Sequence, residues 1–167
     1  MKFFFIVILL LAASGAGIYF RNTLSHRMII LRQLRLALDK ITVMIKYRSD
    51  TLTSIFTALS SDVSLNELTF IRETLVNLED KSFAESYSEA VDNFKPAGLK
   101  SSDREIIKGI GSVLGVSDTE GQISSLLIYE KELEAAFVAA ASDVKTKSKL
   151  YSSLGLLSGV FIAILLI

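Results

Sequence analysis

The chain of 167 residues contains no cysteine, and it has only one histidine and one proline, His26 and Pro96. The absence of cysteine excludes disulfides, thiolate nucleophiles and cysteine-ligated metal sites. Basic and acidic side chains balance at 18 each, so the net charge gives no reason to expect nucleic acid as a partner. His26 lies among arginines beside an apolar segment, and we interpret it as an interfacial polar residue, not as a catalytic base.

Two patterns that resemble functional motifs have simpler explanations. Gly109 and Gly111 lack the spacing of GxGxxG, no strand pattern precedes them, and GK[ST] occurs nowhere in the chain. Close helix packing explains these glycines better. The carboxylates between Glu130 and Glu134 lie on a helix whose other face is apolar, which is typical of a solvated face. The sequence therefore predicts that the protein is not an enzyme and has no catalytic, metal or cofactor site.

The most informative stretch is the end of the chain. Lys145, Lys147 and Lys149 precede an uncharged run of eighteen residues, 150–167. Because the hydrocarbon core of a membrane requires about twenty residues of helix, this run predicts a transmembrane helix. Basic residues beside a span are retained in the cytoplasm, so the lysines place the preceding residues on that side.

A second uncharged run, Phe3–Phe20, lies near the start of the chain and is followed by Arg21 and further basic residues. The alternative is a cleaved signal peptide, for which the small residues 12–17 would provide the cleavage site. The length of the run and the basic residues after it favour a retained span with its N-terminus outside. We therefore predict transmembrane helices at 1–20 and 150–167 and a cytoplasmic domain at 21–149.

Small residues recur at four-residue spacing in both predicted spans. Ala13 and Gly17 form one such pair, and Gly155 and Gly159 form a GxxxG pair. This spacing lets helix backbones approach closely in lipid, and the two pairs lie at similar depths when counted from the cytoplasmic boundary. We predict that the spans pack on each other within one chain, although the same faces could serve an oligomer.

Apolar residues recur at helical spacing throughout the region between the spans, and no alternating strand pattern is present. The segments 27–48, 51–60 and 65–78 predict three helices. In the first of them the apolar seam consists of Leu31, Leu34, Leu38, Ile41 and Ile45. Three serine–glutamate pairs have the spacing of a capping box and predict the starts of three more: Ser82 with Glu85, Ser102 with Glu105, and Ser117 with Glu120.

The last of these helices has no glycine or proline between residues 122 and 153, which predicts one continuous helix from about residue 118 into the second span. The first helix is expected to continue likewise out of the first span. The predicted fold is all-α, an antiparallel cytoplasmic helical bundle carried between two terminal transmembrane helices.

Several segments, taken in order, resemble one family, stage III sporulation protein AB of endospore-forming bacteria. They are LRQLRLAL at 31–38, IKY at 45–47, GSVLGVSD at 111–118 with Gln122, and KLYSSLGLLSG at 149–159. The resemblance extends nearly end to end. The chain departs from the family pattern at Thr42 and Met44, where acidic residues are usual, and at Asp50-Thr51, where a threonine–proline turn is usual.

The resemblance implies a helical domain similar to the cytoplasmic domain of inner-membrane platform proteins of type II secretion and type IV pilus machines. It implies a place in a channel between mother cell and forespore, in the membrane surrounding the forespore and facing the mother-cell cytoplasm. The expected partners are a secretion-type ATPase, stage III sporulation protein AA, and other membrane proteins of the complex.

We predict a non-enzymatic platform that couples this ATPase to membrane components. The alternatives are a membrane receptor or sensor that docks a signalling partner and, if the first span is cleaved, a secreted helical protein. The predicted partner-binding surface combines a basic face, a tyrosine and a turn: Arg32, Arg35, Tyr47, Gly115, Asp118 and Gln122.

Overall fold

The computed structural model describes the backbone of residues 2–48 and 50–166, and the side chains of residues 15–48, 50–147, 149–151, 153, 154, 157 and 161. The described residues form six α-helices and no strand, which confirms the predicted all-α fold. The helices are α1 (Lys2–Val43), α2 (Leu52–Ser60), α3 (Thr69–Asn77), α4 (Phe83–Asn93), α5 (Ser101–Val113) and α6 (Thr119–Leu166). A π-helical turn, Met44–Arg48, follows α1 directly, and a 3₁₀ turn, Val63–Leu65, precedes α3.

The chain divides into two compact units, to both of which α1 and α6 contribute. Residues 1–28 and 138–167 form the terminal unit, and residues 29–137 form the helical unit. Both long helices are uninterrupted in the described residues, as predicted for α6 from the absence of glycine and proline between residues 122 and 153 and as expected for α1. The predicted boundaries at residues 20 and 149 follow the apolar runs and stay predictions.

The two transmembrane predictions fall largely on side chains outside the described residues. Among the described residues, no helix has a stretch long and apolar enough to cross a membrane. Of the four predicted packing residues, Ala13, Gly155 and Gly159 also have side-chain positions outside the described set, whereas Gly17 is buried. The spans and their mutual packing therefore stay predictions.

The core of the helical unit contains the apolar seam predicted for the first cytoplasmic helix. Its five members are all buried: Leu31, Leu34, Leu38, Ile41 and Ile45. They recur at steps of three and four residues and therefore lie on one face of α1. From α6, Leu126 and Leu133 are also fully buried, so both long helices contribute apolar side chains to this core.

A cluster of aromatic rings joins the short helices α2, α3 and α4. The Tyr87 ring lies 5.9 Å from that of Phe56, 5.7 Å from Phe70 and 5.8 Å from Phe83 between ring centroids. The contacts with Phe56 and Phe70 are edge-to-face, the arrangement that the ring quadrupoles favour. The buried hydroxyl of Tyr87 donates to the carbonyl of Ile107 at 2.8 Å, which links α4 to α5.

The first predicted capping box is confirmed, because Ser82 and Glu85 exchange both bonds at the start of α4. The second, Ser102 with Glu105, is wrong. Helix α5 begins at Ser101 and Lys100 precedes it, with the Lys100 N–H donating to Asp103 Oδ2 at 2.9 Å. A carboxylate is a stronger acceptor than a hydroxyl, so Asp103 determines this helix start.

The third predicted capping box, Ser117 with Glu120, is also displaced. Helix α6 begins at Thr119, and the Asp118 carboxylate accepts from the Gly121 N–H at 2.9 Å. The cap is again a charged acceptor that favours the positive end of the helix dipole. The capping residue moves from Ser102 to Lys100, by two residues, and from Ser117 to Asp118, by one, and neither correction changes which helices exist.

Candidate partner-binding surface

At one end of the helical unit, α1 ends and the π-helical turn follows it, and α6 begins. A recess at this end is lined by residues from both places, including Ile45, Leu52, Gly115 and Gln122. The fold therefore brings the loop between α5 and α6 against the segment that follows α1. Two of the predicted site residues, Gly115 and Asp118, belong to this loop, and a third, Gln122, lies beside it in the first turn of α6.

The loop is held in place by its own polar groups. Gly115 has a φ of +75°, which is accessible to glycine at little cost, and its N–H donates to Gln122 Oε1 at 2.9 Å. The other end of the same amide, Gln122 Nε2, donates to the Ser117 carbonyl at 2.8 Å. Since Asp118 caps α6, these predicted site residues shape the loop. The large apolar side chain that the loop exposes is Val116, 76% exposed.

Tyr47 belongs to the π-helical turn and is 72% exposed. The Lys46 ammonium lies 5.2 Å from its ring centroid, within the range of a cation–π contact. A π-helical turn contains one residue more than the hydrogen-bonded turn of an α-helix, and such turns are frequent at functional sites. The turn buries Ile45 in the recess while it leaves a large aromatic side chain accessible at the surface.

The two predicted arginines lie elsewhere on α1. Arg32 is exposed, whereas Arg35 forms an ion pair with Glu134 of α6 and lies 5.0 Å from the ring centroid of Phe137. Arg35 and Tyr47 are twelve positions apart, about 18 Å along a helix. The structure therefore divides the predicted surface into the loop end and a separate arginine face, and Arg35 contributes mainly to α1–α6 packing.

A groove beside the π-helical turn was not predicted. It is lined by side chains of α1, the turn and α2, with Lys40 and Asp62 at its polar edge and Val43, Met44 and Leu59 among its apolar residues. Lys40 and Ser64 donate to the Asp62 carboxylate and lower its pKa to about 2. Because Lys40 and Asp62 are 22 positions apart, no local sequence signal indicated this pair.

Gln33 is another polar residue whose role the sequence did not indicate. It is 7% exposed within the apolar seam of α1. Its Nε2 donates to Asn66 Oδ1 at 3.0 Å, and its Oε1 accepts from the Glu67 N–H at 3.0 Å. A glutamine between Leu31 and Leu34 is the signal that could have revealed it. Gln33 fixes the segment between the 3₁₀ turn and α3.

Among the described residues, no group of histidine, aspartate or glutamate side chains is arranged to hold a metal ion. The tyrosine with the largest change in pKa, Tyr87, is buried, and burial raises its pKa because the phenolate would lose hydration. Its hydroxyl is bonded to a backbone carbonyl inside the core. The accessible features that are candidates for partner binding are therefore Tyr47, Val116 and the groove.

The comparisons with known proteins give one match. The family model described as stage III sporulation protein AB matches residues 2–167. No curated protein and no solved structure matches the chain significantly.

Proposed function

We propose a specific role for this chain, which belongs to the stage III sporulation protein AB family and so has a role in stage III of sporulation. It is a non-enzymatic membrane platform in a channel complex between mother cell and forespore. The platform couples a secretion-type ATPase in the mother-cell cytoplasm, stage III sporulation protein AA, to the membrane components of the complex. The proposal has two parts, the membrane attachment of the terminal unit and the capture of the ATPase by the helical unit.

Exposed apolar side chains of the terminal unit support membrane attachment. Among the side chains of this unit that the structure describes, seven large ones are each more than half exposed: Ile18, Tyr19, Phe20, Leu150, Leu154, Leu157 and Phe161. Large contiguous apolar surface is unfavourable in water, and the four on α6 recur at steps of four, three and four residues, which places them on one face. Together with the uncharged runs, this face supports two spans in contact with lipid.

The observation that carries the capture proposal is the exposure of Tyr47 and Val116 at one end of the helical unit. Accessible aromatic side chains are frequent anchors of protein interfaces. The Gln122 amide fixes the loop that presents Val116, so little conformational entropy is lost there when a partner binds. We propose that this loop end, with the adjacent groove, is where the ATPase binds.

Membrane topology is tested with single cysteines, since the chain has none of its own. Ser124→Cys places a thiol at an exposed position of α6, and a cysteine appended after Ile167 provides the matched control. In intact protoplasts of vegetative cells that produce the protein, where the outer end of each span faces the medium, a membrane-impermeant maleimide should label the appended cysteine and leave Ser124→Cys unlabelled until lysis. Labelling of Ser124→Cys before lysis would contradict a cytoplasmic helical unit.

Capture is tested by co-purification of the ATPase with the full-length protein from detergent extracts. Tyr47→Ala should reduce capture about tenfold, because truncation of an interface anchor costs roughly 1–2 kcal/mol. Val76→Ala is the matched control, an exposed apolar residue of α3. Equal capture by wild type and Tyr47→Ala, with both inserted and folded, would refute the loop end as the docking surface.

The arginine face is tested in the same assay. If the arginine face contributes to binding, Arg32→Glu should weaken capture of the ATPase. Arg32 is exposed, so reversal of its charge leaves the core intact. Arg35→Glu is a poorer test, since it would bring two carboxylates together at Glu134 and disturb α1–α6 packing. Unchanged capture by Arg32→Glu would restrict the docking surface to the loop end.

A further inference from the structure

The terminal unit contains a group of aromatic rings at the cytoplasmic ends of the two predicted spans. The rings of Phe20 and Tyr151 lie 5.7 Å apart between centroids, and Tyr19 lies 5.9 Å from Phe20 in an edge-to-face arrangement. This group therefore brings α1 and α6 together within the terminal unit. Tyr19 and Phe20 are each more than half exposed, so their surfaces are available to something outside the chain.

Basic residues lie close to these rings along both helices. Arg21 directly follows Phe20, and Lys149 is two residues before Tyr151. Lys145 and Lys147 lie on the same helix within about 6 Å of further rise, and all four cations are exposed. Lys147 forms an ion pair with Asp143 at 2.7 Å.

The charges of the chain are distributed unequally between the two units. The terminal unit contains six lysine or arginine residues and a single carboxylate side chain, that of Asp143, whereas the helical unit contains twelve basic and seventeen acidic residues. The neutral total thus separates into a formal charge of about +5 and one of about −5, with histidine counted as neutral. The single carboxylate of the terminal unit therefore cannot neutralise the six cations of that unit.

We propose that this cluster, Arg21 with Lys145, Lys147 and Lys149 around the rings of Tyr19, Phe20 and Tyr151, binds the headgroups of anionic phospholipids in the cytoplasmic leaflet. Tyrosine rings are favoured at the headgroup level, and lysine and arginine pair with lipid phosphates there. The inference rests on the membrane attachment proposed above. It goes beyond that attachment, because basic residues that only orient the spans during insertion give the finished protein no lipid preference.

The preference is measured by electron paramagnetic resonance on the full-length protein in phosphatidylcholine membranes that contain spin-labelled lipid. The motion-restricted fraction of spin-labelled phosphatidylglycerol is compared with that of spin-labelled phosphatidylcholine. We expect a several-fold higher association constant for phosphatidylglycerol, since each cation near the surface contributes up to about fivefold. The preference should decline as the salt concentration rises.

The variants separate a lipid site from a general effect of charge. The triple substitution Lys145→Gln, Lys147→Gln and Lys149→Gln should remove most of the preference, and replacement of the same lysines by arginine should retain it. Lys131→Gln, which removes an exposed cation of the helical unit, should leave it unchanged. Retention of the full preference by the triple glutamine variant would overturn the assignment of these lysines.

Failure of the inference is distinguishable from failure of the proposed function. Equal association constants for the two lipids in the wild-type protein, with a clear motion-restricted fraction of each, would overturn the lipid site and leave membrane attachment supported. The absence of any motion-restricted lipid would contradict the proposed spans and the lipid site together.

Discussion

Replacement of Gly111 by alanine tests the packing of α5 against α4. A Cβ added at this position would lie 2.1 Å from Cδ1 and 2.9 Å from Cγ of Tyr87. Carbon atoms in favourable contact are about 3.5–4.0 Å apart, so the new methyl group overlaps the ring by roughly 1.5 Å. Because Cγ is fixed close to the backbone, a rotation of the ring cannot relieve the overlap.

The surroundings of Tyr87 prevent the ring from moving elsewhere. It is 4% exposed, is in contact with three phenylalanine rings, and its hydroxyl is bonded to the Ile107 carbonyl. Overpacking costs about 1–3 kcal/mol, and an overlap this large with a ring that cannot move belongs to the upper part of that range, about 2–3 kcal/mol. Alanine recovers about 1 kcal/mol of helix propensity relative to glycine. We expect Gly111→Ala to destabilise the protein by about 1–2 kcal/mol.

The assay is thermal unfolding of the full-length protein in detergent, followed by helical circular dichroism. A loss of this size should lower Tm by about 2–8 °C. In Gly109→Ala the Cβ would lie 2.4 Å from Cε1 of Tyr129, but this ring is partly exposed and can move. The control should therefore differ from wild type by less than about 1 kcal/mol.

A double-mutant cycle identifies the cause. Tyr87→Ala removes the ring that the new methyl group meets, so adding Gly111→Ala to it should cost at least about 1 kcal/mol less than in the wild-type background. Additive effects, or a Gly111→Ala protein as stable as wild type, would refute the packing explanation.

Three further predictions concern polar contacts and one turn. Asp62→Asn should destabilise the protein at about pH 6 and much less near pH 2, in urea titrations at each pH. The pKa of Asp62 is lowered to about 2, so the contribution of its pair with Lys40 is full above the unfolded value and is lost as the pH falls through about 2. Gln33→Ala should lower the free energy of unfolding by about 1–3 kcal/mol in the same titrations, because the Glu67 N–H loses its acceptor. A loss below 0.5 kcal/mol (roughly the error of additivity) would contradict the role of the Gln33 amide. Gly115→Ala should cost about 1–2 kcal/mol because of its positive φ, and Gly115→Asn should cost less; equal losses would contradict strain as the cause.

The parts of the fold that the sequence predicted depend on local patterns. The seam from Leu31 to Ile45 was readable because a buried helix face imposes its period on the sequence. The continuity of α6 followed from the absence of glycine and proline between residues 122 and 153. The capping residues were predicted less well: Ser102 and Asp103 are neighbours, and either can cap a helix, so the choice depends on the path of the chain before the helix.

The features that the sequence did not predict depend on contacts between distant segments. The Lys40–Asp62 pair and the bonds of Gln33 to Asn66 and Glu67 form only when α1 packs against the residues before α3. The candidate site shows the same limit. Gly115 and Gln122 were singled out as partner-binding residues, which stays a prediction; only the structure reveals that they hold each other in place and that Val116 is the large apolar side chain exposed between them.

The central claim is that the membrane-attached protein captures a secretion-type ATPase through its helical unit. Flotation of the purified ATPase with proteoliposomes that contain the full-length protein measures this capture directly. The ATPase should float with wild-type proteoliposomes, and Tyr47→Ala should reduce the floated amount about tenfold. An ATPase that stays at the bottom of the gradient, while the inserted wild-type protein floats, would contradict the platform function.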